Sequence, residues 1–167
     1  MPEISDSFVA DIRRRLEALG IESVVIGAVA ASRYRATPRE TTDVDLLARS
    51  LVGVEEAMRA AGFAVHAVAE PGSSEPYVVF IRGEGVAVDI LLAETAYQET
   101  AMDRAVGGVI TVEDVIIHKL LAWRPRDRAD IESIFAQGHE LDERYIESWV
   151  DAWGVRERWE TAKRELR

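Results

Sequence analysis

Val24-Val25-Ile26-Gly27-Ala28-Val29-Ala30-Ala31-Ser32, running on through Arg33-Tyr34-Arg35-Ala36-Thr37-Pro38-Arg39-Glu40-Thr41-Thr42 to Asp43-Val44-Asp45-Leu46-Leu47, is the stretch on which the rest of the chain turns. Val24, Val25 and Ile26 are a β-branched run closed by a glycine, the pattern of a buried strand entering a tight turn. Ala28, Ala30, Ala31 and Ser32 are small, so a helix starting there lies close to a sheet, and its first N–H groups are free for an anion such as a phosphate. Pro38 marks a loop, and a second strand follows. Asp43 and Asp45 alternate with Val44, so both carboxylates occupy one face of that strand. Two like charges so close are unfavourable without a cation between them. The stretch therefore predicts a divalent-metal site facing a phosphate-binding turn.

Outward from this stretch the punctuation is regular. Upstream, Phe8, Val9, Ile12, Leu16 and Leu19 recur at helical spacing over 4–19 and stop at Gly20. Strands are expected at 22–26 and 42–48, a short helix at 54–61 closed by Gly62, and a strand at 63–68. The 70–76 segment, with Pro71, Gly72 and Pro76, reads as a loop. Strands at 77–82 and 86–92 flank Gly83-Glu84-Gly85, a hairpin signal. Helices are expected at 93–104, at 112–123 behind a Thr111 cap, at 131–137, at 142–153 and after Gly154, with 107–110 a short strand or turn. The whole predicts one α/β unit over 1–167: a mixed sheet core over about 22–110 with flanking helices, and a C-terminal helical cluster over about 111–167.

Composition narrows the class. The chain has 167 residues, 48% hydrophobic and 30% charged, with no cysteine, so disulfides and thiolate metal sites are excluded. No apolar run approaches the ~20 residues of a membrane span, and the first residues lack a signal-peptide pattern. The expectation is a cytoplasmic protein with no membrane partner. A formal net charge of −10 argues against a broad grip on nucleic acid. Two local arginine clusters, Arg33/Arg35/Arg39 and Arg124/Arg126/Arg128, are expected to border one cleft. His66 and His139 have no metal-ligand spacing and receive no role.

Three further residues carry two readings each. Asp89 sits between Val88 and Ile90 in a strand, either facing solvent or completing a carboxylate site. Lys119 lies within the apolar stripe of Val115, Ile116 and Trp123. Its ammonium either snorkels to solvent or is aimed at a triphosphate. Asp127 follows Pro125, which ends one helix, and caps the next, with Asp130 in its first turn. For Asp127 the cap stands alone or is joined to a function, and for Asp130 the structural reading is preferred.

Gly27-Ala28 at a strand–helix turn, followed by Arg39-x-Thr41-x-Asp43-x-Asp45, resembles the nucleotidyltransferases of the DNA polymerase β superfamily. Within it, the minimal branch containing the AbiEii/MenT-type toxins is the most similar. That branch shows Gly-Gly or Gly-Ser where this chain has Gly27-Ala28; Ala28 keeps the backbone N–H and lacks a hydroxyl. His118-Lys119-Leu120-Leu121-Ala122 and Arg126-Asp127-Arg128-Ala129-Asp130 match two further elements, so the resemblance covers roughly residues 22–135. It implies a mixed-sheet nucleotidyltransferase fold and an Mg²⁺- or Mn²⁺-dependent enzyme that transfers NMP from an NTP such as ATP to an acceptor hydroxyl, releasing pyrophosphate. Asp43, Asp45 and Asp89 are then the metal ligands, and with Lys119 and Asp127 they form the catalytic set. Gly27, Ala28, Arg39, Thr41 and Lys119 are the nucleotide contacts. The acceptor stays open between tRNA, protein and a small antibiotic, and a toxin–antitoxin role implies an antitoxin partner. The alternative is a degenerate member that binds nucleotide or protein without turnover.

Overall fold

The computed structural model describes residues 6–38, 41–83 and 85–167. Along the chain run α1 (Asp6–Ala18), β1 (Ser23–Ile26), α2 (Gly27–Ser32), β2 (Asp43–Ala48), α3 (Val54–Ala60), β3 (Ala64–Val68), β4 (Val78–Gly83) and β5 (Val86–Leu92). There follow α4 (Ala96–Arg104), α5 (Val112–Ala122), α6 (Pro125–Phe135), α7 (Glu143–Ala152) and α8 (Arg156–Glu165). The strands form one sheet in the order β1-β2-β5-β4-β3. Among the described strand pairs only β2–β5 is parallel, so the sheet is mixed.

Strand alternation divides the sheet into two unlike faces. Val44, Leu46, Val79, Ile81, Val88 and Ile90 are all buried and form the core face. Helix α3 packs against β3 and β4, and α1 packs on α3, with Ile12 and Leu16 turned inward. The neighbouring positions Asp43, Asp45, Asp89, Phe80 and Arg82 stand on the other face. Helix α2 lies on β1 and β2 and touches α5, which carries α6 and α7; α8 closes over α6 and α7. This is the expected mixed α/β sheet with flanking helices and a C-terminal helical cluster.

Element boundaries differ from expectation where capping chemistry intervenes. Helix α4 starts at Ala96, not residue 93, because Thr95 and Gln98 form a reciprocal capping box and Ala93 still bonds Ala48 across the sheet. Helix α5 ends at Ala122, with Trp123 in the left-handed conformation at φ 51°. Helix α6 begins at Pro125 rather than residue 131, since a proline at the first helical position needs no N–H partner there. Asp127 is therefore not the N-cap. It sits in the first turn, and its carboxylate reaches back to accept the Arg124 backbone N–H at 3.0 Å. The 107–110 segment is a bridge beside β1, with Val25 bonded to Gly108 and Ile110. Trp149 packs on Tyr97, whereas Trp153 is 44% exposed. Among the described residues no helix is long and apolar enough to cross a membrane.

Candidate active site

The site begins at the end of β1. Gly27 has φ +68°, a conformation that disfavours any residue with a Cβ. Here a Cβ would also be driven into Asp45 Oδ2, because Asp45 lies opposite Ile26 in the β1–β2 register. The missing side chain lets the carboxylate rest directly against the turn. Ala28 and Val29 follow in a six-residue helix whose start has no side-chain cap. Ser32 Oγ donates to the Ala28 carbonyl at 3.0 Å. Thr41 supports the next strand: its hydroxyl accepts from the Asp43 N–H at 3.2 Å and donates to the Asp43 carbonyl at 3.1 Å. Arg39 lies outside the described residues.

Parallel pairing of β2 and β5 puts Asp45 directly beside Asp89, with Asp43 one step along beside Ala87. Asp43 is exposed, while Asp45 and Asp89 are half-buried. The Asp45 carboxyl is pushed above its ordinary range, first by burial and then by the charges of Asp89 and Asp43; Lys119 partly offsets this. Asp89 is held by Arg82, whose Nη1 donates to Asp89 Oδ1 at 2.6 Å. Among the described residues no three histidines, aspartates or glutamates are gathered as a ready metal cage. The donor set nevertheless suits a hard cation: oxygen ligands only, and an excess of negative charge at Asp45.

For Lys119 the structure removes one of the two readings. It is buried, so it does not snorkel, and its ammonium pairs with acids of α6: Asp130 Oδ2 at 2.7 Å and Asp127 Oδ1 at 3.2 Å. Arg35 Nη1 reaches Asp130 Oδ1 at 2.5 Å, and Arg124 Nε reaches Asp127 Oδ2 at 2.7 Å. The result is a line of alternating charge, Arg35–Asp130–Lys119–Asp127–Arg124, whose central cation also acts on Asp45. Burial pushes Asp127 up, but donors from the Arg124 side chain and backbone and from Lys119 hold its carboxyl below the usual range.

Of the two arginine clusters, Arg35 and Arg124 thus join the ends of one network. Arg33 turns instead to the Val106 carbonyl, and Arg128 lies over Trp123 and pairs with Glu165. His118 packs edge-on to Tyr97, and burial together with Lys119 depresses its pKa to about 4, so it is neutral at physiological pH. The sequence carries no signal for Arg82, which strand register brings to Asp89, and the ion pairs of Asp130 with Lys119 and Arg35 accord with its structural reading. The i,i+3 spacing of Asp127 and Asp130 sets both on one face of α6, where both reach Lys119.

No family description matches the sequence, and no curated protein matches it. Solved structures share the fold. The solution structure of the antibiotic-resistance factor ANT(2'')-Ia aligns with a TM-score of 0.58 at 17% identity, covering 95% of this chain and 94% of that one. A crystal structure of ANT(2")-Ia in complex with adenylyl-2"-tobramycin gives 0.56 at 16% identity, covering 92% and 97%. An H. pylori protein described as a nucleotidyltransferase gives 0.51 at 15% identity, covering 79% and 68%. The chain spans only 21% and 27% of the length of two tRNA-processing enzymes it also matches. At these identities the likeness establishes the nucleotidyltransferase fold.

Proposed function

We propose that this chain, as a single unit over residues 1–167, transfers a nucleoside monophosphate from a triphosphate such as ATP to an acceptor hydroxyl. One observation carries the reading: the side-chain-free turn at Gly27 seats the Asp45 carboxylate directly beside Asp89. A phosphate-binding turn and a carboxylate pair brought into contact suit phosphoryl chemistry, which needs positioning and charge neutralisation above all. ANT(2")-Ia, caught with an adenylylated tobramycin, has the same fold and supports the reaction type.

In this reading Asp43 and Asp45 hold Mg²⁺ or Mn²⁺, with Asp89 as a third ligand once Arg82 leaves it. The ion would neutralise the triphosphate and its leaving group. The backbone at Gly27 and Ala28 lies along the phosphates, and Thr41 holds the Asp43 backbone in place. Arg39 is a further nucleotide contact. Asp89 takes the acceptor proton as the acceptor oxygen bonds the α-phosphorus, and the bond from that phosphorus to the bridging oxygen breaks to release pyrophosphate. Lys119 supplies positive charge behind Asp45, and Asp127 is a positioning residue that fixes Lys119. The acceptor is RNA, protein or a small antibiotic, and kinship with the toxin branch would add an antitoxin as partner.

The test is thermal: Mg²⁺ with ATP stabilises the fold by mass action, and the Asp43→Asn/Asp45→Asn variant loses that rise. Label from α-labelled ATP on an acceptor establishes transfer. The Arg82–Asp89 pair favours a second reading, a nucleotide binder without turnover; binding without pyrophosphate release would select it.

A further inference from the structure

The row of residues that contains Asp45 and Asp89 continues past them. In strict register across the sheet stand Ile26, Asp45, Asp89, Phe80 and His66, on β1, β2, β5, β4 and β3. Phe80 alternates with the core residues Val79 and Ile81, so its ring stands on the carboxylate face. Among the described residues it is only half-buried and is not one of the side chains packed against the core. Its neighbours are planar. His66, itself exposed, stacks on it with centroids 6.2 Å apart and planes within 10°, and the Arg82 guanidinium lies 5.3 Å from its centroid. The same guanidinium donates to Asp89. The outcome is a column of imidazole, phenyl and guanidinium that starts at the third carboxylate and ends, two strand spacings or about 10 Å away, at an open ring on the sheet edge.

We propose that this column is the acceptor shelf, and that it takes the end of a single-stranded nucleic acid, with a base stacked on the open face of His66, which Phe80 backs, and a phosphate on Arg82. The inference rests on the nucleotidyl-transfer reading and adds to it the acceptor class. Flat aromatic faces on an open sheet bind bases without regard to sequence, and an adjacent arginine recognises the phosphate. Arg82, at the carboxylate end of the column, favours a phosphate over a cationic aminoglycoside ring at that point. Transfer of Arg82 from Asp89 to a phosphate also frees the carboxylate that the proposed reaction uses. With a net charge of −10, the chain has to draw its affinity from such local contacts.

Binding of 5′-fluorescein-labelled rA12 and dA12 to the full chain, read by anisotropy at low salt without divalent metal, tests the shelf. The wild type is expected to bind. His66→Ala weakens binding roughly 5- to 150-fold, the loss of one base–aromatic stack, and Phe80→Leu, which removes the ring that backs His66, weakens it as well, while Phe80→Tyr, which keeps the ring, retains it. Arg82→Gln lowers the salt slope by about one. Equal binding of rA12 and dA12 supports a shelf that reads bases rather than sugars. Failure of the wild type to bind either strand, or unchanged affinity in both Phe80→Leu and His66→Ala, overturns the proposal. So does tobramycin binding that Phe80→Leu abolishes. The Mg²⁺–ATP melting shift, measured on the same proteins, keeps the two readings apart: a shift that persists without strand binding removes the shelf alone, and its absence from the wild type removes the transfer reading as well.

Discussion

Lys119→Met removes the central cation from the line Arg35–Asp130–Lys119–Asp127–Arg124 while filling most of the same volume. Removing one partner of a buried ion pair costs ~3–5 kcal/mol, because the other charge stays behind uncompensated. Here each carboxylate keeps an arginine, Asp127 with Arg124 and Asp130 with Arg35, so the loss belongs at the lower end, about 3 kcal/mol. For a chain of this size each kcal/mol moves the melting temperature by about 2–4 °C, so Lys119→Met should melt about 6–12 °C lower. The four charges left behind balance, two arginines against two carboxylates, whereas the triple variant Lys119→Met/Asp127→Asn/Asp130→Asn strands Arg35 and Arg124 and should melt lower than the single variant. Calorimetric melts of wild type, single and triple variants at pH 7 measure both quantities, and the Mg²⁺–ATP shift measured alongside reports on phosphate binding. A Lys119→Met protein that melts with the wild type, or a triple variant more stable than the single one, would refute the buried-network argument. A full loss of stability with an unchanged nucleotide shift would make Lys119 structural only.

Acidification tests the same network from the carboxylate side. The folded pKa of Asp127 lies below its ordinary value, so the unfolded chain takes up the proton first. Its stabilisation is complete above the unfolded value near 4 and is lost as pH falls through the folded one; Asp127→Asn should flatten urea-measured stability over that range. Asp45 has the opposite sign. Its folded pKa is raised, so the ionised carboxylate opposes folding, with the full penalty above the folded pKa. Asp45→Asn should therefore melt higher than wild type at pH 7 without metal and lose the Mg²⁺–ATP shift; a lower melt would contradict the crowding of Asp45 by Asp89 and Asp43. Gly27→Ala pays ~1 kcal/mol for the left-handed backbone and also displaces Asp45. Nucleotide binding should fall by more than that strain accounts for, and a variant that binds ATP like wild type would remove Gly27 from the site.

Much of this molecule is local and could be read from order along the chain. Period-2 alternation in Asp43-Val44-Asp45 puts two carboxylates on one face wherever that strand lies, and Gly27 after Val24-Val25-Ile26 marks a strand–turn–helix junction. The β-branched runs and glycine stops likewise located all five strands to within a residue or two. Helix starts were less legible where a cap competes with periodicity, as Thr95–Gln98 and Pro125 show, because side-chain hydrogen bonds set those boundaries. Only the tertiary structure decided which charges meet. Asp89 stands beside Asp45 because β5 inserts parallel to β2, a pairing across more than forty residues that no local pattern encodes. Arg82 reaches Asp89 through the β4–β5 register, and Phe80 and His66 extend the row through two further strand pairings. Lys119, an oddity on an apolar helix face, found its partners when α6 packed on α5 and brought Asp127 and Asp130 to its ammonium. A strand's alternation is set by its own backbone geometry. The partner of a buried charge is chosen by packing, because desolvation makes an unpaired one too costly to keep.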